Sequence, residues 1–180
     1  MHVVFFCTFK NRESIVLIDF LLVNHVVTPK IKQMIPLIAG ILAIASLFIP
    51  VAFRSYNDGA IYVWYWALNI DTRSPVEIWF NEDLLAVIGG ILETVVIIIA
   101  AVLLIIASLS IKKGLNNKQL IQRILVASMI LLIISPVGYI IGAMAWDIDF
   151  WTRFMIHVGL IGPFISAVLA LITLILFKRS

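Results

Sequence analysis

The sequence predicts an all-α membrane protein, a four-transmembrane-helix bundle with a small antiparallel β-sheet in the first extracellular loop. Three observations predict this fold class. Of the 180 residues, 63% are hydrophobic and only 13% are charged, which excludes an ordinary water-soluble domain. Four long apolar runs divide the chain, and the charges between these runs alternate in sign.

Each apolar run is long enough to cross a bilayer. A hydrocarbon core about 30 Å thick requires about 20 residues at a rise of 1.5 Å per residue. The predicted spans are Met34–Phe53, Leu84–Ser110, Ile121–Met144 and Phe154–Phe177. One transmembrane domain therefore covers residues 34–180.

The charges between the spans predict the orientation. One side carries ten cations and two acids, whereas the opposite side carries three cations, Arg54, Arg73 and Arg153, and seven acids. The ten cations are Lys10, Arg12, Lys30, Lys32, Lys112, Lys113, Lys118, Arg123, Lys178 and Arg179. By the positive-inside rule we expect a multi-pass protein of the cell membrane with cytoplasmic N- and C-termini.

Residues 1–33 are predicted to be a cytoplasmic N-terminal segment. Ser14–Thr28 is apolar, but Asp19, Asn24 and His25 interrupt it, so a fifth span is the least favoured interpretation. Two other interpretations stay open, an interfacial helix on the cytoplasmic leaflet and a non-native extension upstream of a start at Met34.

The first outer loop, residues 54–83, is predicted to contain the sheet. Ala60–Asn69 is rich in β-branched and aromatic residues and follows the turn signal Asn57-Asp58-Gly59. A second turn cluster, at 71–75, leads to Val76–Phe80. We predict two or three short antiparallel strands, the first at Val51–Tyr56, and such a small sheet must pack on the helices.

Four aromatic residues in this loop are candidates for binding a partner. They are Trp64, Trp66, Tyr62 and Tyr65, and the two tryptophans fit an aromatic belt at the membrane interface less well than the other tryptophans and Tyr139 do. Strand alternation would place Trp64 and Trp66 on one face and divide the two tyrosines between the faces. One face would pack on the bundle, and the other could bind a partner.

Small residues at spacings of three, four and seven predict close packing of the helices. The second span carries Ala86, Gly90 and Ala100 on one face, and the third carries Gly138 and Gly142. Because lipid provides no hydrophobic force between helices, close contact at small residues supports their association. We therefore expect these glycines to serve helix packing.

Glu93 is the candidate polar residue inside the membrane. It lies near the bilayer midplane and is expected to face the interior of the bundle, because a carboxylate is costly in lipid. A functional interpretation makes it a proton or cation relay, a substrate contact or a general acid or base. The favoured interpretation is structural, a neutral acid hydrogen-bonded to Ser46, Ser128, Ser135 or a backbone carbonyl.

The sequence contains no motif that is typical of a metal site, a phosphate-binding site or a catalytic nucleophile. There is no Cys and His spacing for a metal, no phosphate-binding glycine loop and no nucleophile elbow. We predict no catalytic residues, no metal and no cofactor.

The layout resembles the claudin-like tetraspan group, which has cytoplasmic termini, four spans, a long β-rich first outer loop with tryptophans and a short second one. Residues 49–53 (IPVAF) and 62–68 (YVWYWAL) occupy the region of that group's aromatic motif. The resemblance implies an architecture over residues 34–180. The chain lacks the group's glycine-leucine-tryptophan sequence and both cysteines of its outer-loop disulfide, so no functional residue is carried over.

Two classes of function follow. The favoured one is a non-enzymatic tetraspan scaffold or interaction protein, whose aromatic outer loop binds a protein partner or a second copy of the chain. The alternative is a small transporter, channel subunit or intramembrane enzyme centred on Glu93. Membrane lipid is an expected partner in both classes, and nucleic acid is not, because the basic residues flank the spans.

Overall fold

The computed structural model describes residues 29–81, 84–113 and 117–178. Predictions for the N-terminal segment therefore fall outside the described residues, apart from residues 29–33, which begin a helix. The helices are α1 (Pro29–Ser46), α2 (Leu84–Lys112), α3 (Lys118–Trp146), α4 (Phe150–Arg153) and α5 (Val158–Lys178). The strands are β1 (Ala52–Tyr56), β2 (Gly59–Val63), β3 (Leu68–Asp71), β4 (Glu77–Phe80) and β5 (Met155–Ile156).

Among the described residues, three helices are long and apolar enough to cross a membrane, namely Ala86–Lys112, Lys118–Ala145 and Val158–Phe177. They correspond to the last three predicted spans, and this composition is that of a membrane protein. The last helix begins at Val158 rather than at Phe154, because Met155 and Ile156 pair with β1 instead.

Helix α1 differs more from its prediction. It starts before Met34 and ends at Ser46, where a turn over residues 47–49 and then Pro50 interrupt it. Proline has no backbone N–H and cannot continue the helical hydrogen-bond pattern. Ala52 and Phe53, predicted both as the end of the span and as part of the first strand, are strand residues, so the strand prediction is confirmed and the predicted span ends too late.

The four long helices pack side by side, with α1 and α3 each in contact with both α2 and α5. Small residues occupy many buried positions of these helices, namely Ala39, Ala43, Ala100, Ala107, Ser128, Ser135, Ala170 and Thr173. At Gly40 a Cβ would lie only 2.9 Å from the carbonyl oxygen of Ala101. Small side chains thus set the distance between these helices.

The sheet has five antiparallel strands in the order β4-β3-β2-β1-β5. Four strands lie between α1 and α2, where two or three were predicted, and β5 comes from the segment between α3 and α5. The predicted turn at Asn57 and Asp58 joins β1 to β2. The sheet is attached where α1 and α3 end and where α2 and α5 begin, which we call the sheet end of the bundle.

Register divides the sheet into two faces. Val63, Asn69 and Trp79 are neighbours on the face that is turned towards the helices. On the other face, one residue of each strand follows the next across the whole sheet. These five residues, which we call the apolar row, are Met155, Phe53, Tyr62, Ile70 and Ile78.

Candidate functional site

A cavity of about 780 Å³ lies between the sheet and the sheet-end halves of α2 and α3. The sheet and the turn after β2 contribute Ile61, Val63 and Tyr65, and the α4 region contributes Phe150 and Phe154. The helical wall consists largely of residues with little or no side chain, namely Ala86, Gly89, Gly90, Gly138, Gly142 and Ala143. This volume is typical of pockets that hold a small molecule.

The glycines of this wall differ in what lies opposite them. At Gly90 an added Cβ would overlap the backbone carbonyl of Tyr65, so this glycine lets the turn after β2 approach α2. At Gly89 and Gly142 an added Cβ would meet no heavy atom within 4 Å. Those two glycines leave space rather than close an interface.

Glu93 lines the cavity on the inner side of α2. Its carboxyl group lies against Gly138, where an added Cβ would overlap the carboxyl oxygen Oε1. The Ser135 hydroxyl donates a hydrogen bond to the backbone carbonyl of Glu93 at 3.3 Å. Of the serines proposed from sequence, Ser135 is therefore the one that contacts this residue, whereas the Ser46 and Ser128 hydroxyls donate to carbonyls of their own helices.

Tyr65 contributes a buried phenol to the same cavity. Its side chain is fully buried, and its hydroxyl has no hydrogen-bond partner among the described residues. The ring meets Tyr139 edge-on, with the ring centres 5.1 Å apart. Burial raises the pKa of Tyr65, and the nearby Tyr139 and Glu93 raise it further, so the phenol stays neutral at physiological pH.

The two tryptophans join the sheet to α1. They lie after the end of β2, in the segment 64–67, rather than within a strand. The indole N–H of Trp64 donates to the carbonyl of Phe48, and that of Trp66 donates to the carbonyl of Leu47, both at 3.2 Å. Both carbonyls follow the last residue of α1, where the helix leaves acceptors unpaired.

Tyr62 lies on the opposite face of the sheet from the cavity. It stacks on Phe53 with ring centres 6.4 Å apart, and the His157 ring meets both of them edge-on. His157 Nδ1 is 3.1 Å from the carbonyl oxygen of Pro50. Phe53 and Tyr62 thus lie at the centre of the apolar row, and His157, the residue before α5, packs against both of them.

The rim of the cavity carries an ion pair. Arg153 of α4 donates to the carboxylate of Asp147, the residue that follows α3. Trp151 donates its indole N–H to the carbonyl of Ile140 at 3.2 Å, which fastens α4 to α3. Within the described residues, at the rim or away from it, no group of three His, Cys, Asp or Glu side chains could hold a metal ion.

Two of the five residues singled out from the sequence, Glu93 and Tyr65, thus line one cavity. Trp64 and Trp66 lie at the end of α1, and Tyr62 lies on the other face of the sheet. Sequence reasoning missed the cavity itself, together with Tyr139 and the open glycines. The available signal was the pair Gly138 and Gly142 on α3, four residues apart like Gly89 and Glu93 on α2.

No protein-family model matches this chain, and no curated protein matches it in sequence.

Proposed function

We propose that the protein is a four-span membrane protein in which α1 supplies the fourth span, the sheet lies on the outer side and both termini are cytoplasmic. The ends of α1, α2 and α3 that lie away from the sheet carry Lys30, Lys32, Lys112 and Lys118. Helix α1 also exposes Ile38 and Ile41, as a lipid-facing helix does. The positive-inside rule then puts the sheet outside.

The geometry best supports the binding of a small amphipathic molecule in the cavity, as a transporter or a membrane receptor for such molecules requires. One observation carries this proposal. The cavity combines a membrane-embedded carboxyl group, Glu93, with a buried, unpartnered phenol, Tyr65, and is otherwise largely apolar. Intramembrane ionisable residues beside a cavity are typical of sites that bind or move a ligand.

The test is to detect a bound molecule and to exclude it by filling the cavity. Intact protein released from membranes without denaturation should carry a molecule of defined mass, measured by mass spectrometry. Gly142→Leu places its side chain in open space and should remove that mass. Ile141→Leu, on the exposed side of the same helix, is the matched control and should retain it. Retention of the mass by Gly142→Leu would contradict the proposal.

A second candidate is the interaction protein predicted from the sequence, and the apolar row favours it. Met155 and Ile78, at its two ends, are exposed by 65% and 66%. A continuous apolar strip on a sheet face marks an interaction surface. Replacing Ile78 by Glu should abolish recovery of a protein crosslinked to the sheet, whereas replacement of the exposed Glu77 by Gln should not. Equal recovery with both variants would argue against this function.

A further inference from the structure

The ionisable groups on the cavity wall are not all paired. Apart from the tyrosines, its ionisable residues within the described chain are Glu93, Asp147 and Arg153. Arg153 pairs with Asp147, so the carboxyl group of Glu93 has no cationic partner among the described residues. A carboxylate away from bulk water is stabilised by a counter-charge. A cationic ligand would supply that charge.

The buried phenol requires a hydrogen-bond partner near the same place. The Tyr65 hydroxyl is buried and unpartnered within the described residues, and Tyr65 lines the same cavity as Glu93. A protonated amino group has several N–H donors, so it can donate to the carboxylate and to the phenol oxygen together. A ligand hydroxyl has one donor, and a ligand carboxylate has none and would be repelled by Glu93.

The remainder of the wall is suited to an apolar body. Ile61, Val63, Phe150 and Phe154 present hydrocarbon and aromatic surface, and an added Cβ at Gly89 or Gly142 would meet only open space. A compact hydrocarbon gains by leaving water for such a surface.

We propose that the cavity binds an amphipathic amine, with its amino group between Glu93 and Tyr65 and its apolar body against the sheet and α4. This inference rests on the proposed function, because it names the ligand class of the same cavity. The shared chemistry is an ammonium group on a compact hydrocarbon.

The experiment compares three probes that share one hydrocarbon cage, namely 1-adamantylamine, 1-adamantanol and 1-adamantanecarboxylate. Binding to the full chain in lipid nanodiscs is measured by calorimetry, with protein-free nanodiscs subtracted. The amine should bind tightest and the carboxylate weakest. Glu93→Gln keeps the shape of the side chain and should weaken the amine at least about tenfold while leaving the alcohol within about twofold. Tyr65→Phe should weaken the amine by about threefold.

The variant Gly142→Leu distinguishes a wrong ligand class from a cavity that binds no ligand. Loss of all probe binding in this variant, with the amine preferred by the wild type and weakened by Glu93→Gln, supports the ligand class. If Gly142→Leu blocks binding but the alcohol or the carboxylate binds as tightly as the amine, the cavity binds ligands and the ligand class is wrong. The same holds if Glu93→Gln leaves amine affinity unchanged. Amine binding that survives Gly142→Leu, or no binding of any probe to the wild type, overturns the inference.

Discussion

At the scale of the residue, the glycines of α2 and α3 decide what the cavity contains. Gly90 leaves room for the backbone of Tyr65, and Gly138 leaves room for the carboxyl group of Glu93. At Gly142 no heavy atom lies within 4 Å of the place that a Cβ would take. The same residue type therefore supports an interface, a side-chain position and an open space. The difference depends on what stands opposite each glycine, which spacing along the sequence does not contain.

Replacing these glycines by alanine should give graded effects. Gly90→Ala should lower the free energy of unfolding by about 1–3 kcal/mol, because backbone must move to relieve the overlap. Gly138→Ala should cost less than about 1 kcal/mol, because the end of a flexible side chain can rotate away. Gly142→Ala should be neutral or stabilising by up to about 1 kcal/mol through helix propensity. Denaturant titration in detergent measures all three.

A double-mutant cycle is the control for Gly138. In a Glu93→Ala background the overlapping atoms are gone, so adding Gly138→Ala should cost nothing further. An equal cost in both backgrounds would show that Gly138 does not position the carboxyl group.

Asp71 and Arg73 predict a pH dependence of stability. The Arg73 side chain donates hydrogen bonds to both oxygens of the Asp71 carboxylate at 2.9 Å, which lowers the pKa of Asp71. A lowered folded-state pKa stabilises the protein above the unfolded pKa of about 3.9, and this stability is lost as the pH falls through the folded value. The thermal midpoint should therefore drop below about pH 4.

Asp71→Asn should flatten that acid limb of the profile. Glu77 is paired directly with Asp71 across β3 and β4, and it is exposed. Glu77→Gln is thus a matched control and should leave the acid limb nearly unchanged. A similar flattening by both variants would assign the pH dependence to the net charge of the sheet rather than to the Asp71–Arg73 pair.

At the scale of the element, the helices were easier to predict than the strands. An apolar run of more than 20 residues has few structural alternatives in a membrane, so three predicted spans correspond to helices. The run 60–69 looked like one strand, yet the structure divides it at Val63. Ala67 takes a positive φ of 61°, which turns the chain into β3. Local residue preferences favoured extended structure there, and contacts with α1 and α2 override them.

Because the predicted strand 60–69 ends at Val63, Trp64 and Trp66 lie in the segment after β2, at the end of α1. Replacing either tryptophan by Phe keeps an aromatic ring but removes the indole N–H. One carbonyl after α1 then loses its hydrogen-bond donor. Each change should cost about 1 kcal/mol and increase hydrogen exchange in residues 47–51. Trp79→Phe is the control, because that ring lines the cavity rather than the junction. Equal loosening of residues 47–51 by Trp79→Phe would refute a specific role of the two indoles.

At the scale of the whole molecule, the sequence contained the parts of the site without their arrangement. Glu93 was recognisable because a charge inside an apolar run is costly. Its neighbour Tyr65 comes from the turn after β2, 28 positions earlier in the sequence, and only the docking of the sheet on α2 brings them together. Packing and open space both select small residues, so glycine spacing could not distinguish them.

The orientation of the whole chain is the remaining prediction, and α1 is the helix that decides it. Cys7→Ser removes the single cysteine of the sequence, so that a new cysteine can report the side of the membrane on which it lies. Three exposed positions are suited to this, namely Asp58 at the β1–β2 turn, Lys113 after α2 and Lys30 at the start of α1. A membrane-impermeant maleimide applied to intact cells should label Asp58→Cys. It should label Lys113→Cys and Lys30→Cys only after permeabilisation, because four spans put both on the side opposite the sheet. Labelling of Lys30→Cys together with Asp58→Cys, while Lys113→Cys stays protected, would mean that α1 does not cross and that the protein has three spans. Labelling of both Lys113→Cys and Lys30→Cys in intact cells, while Asp58→Cys stays protected, would mean that the orientation is inverted.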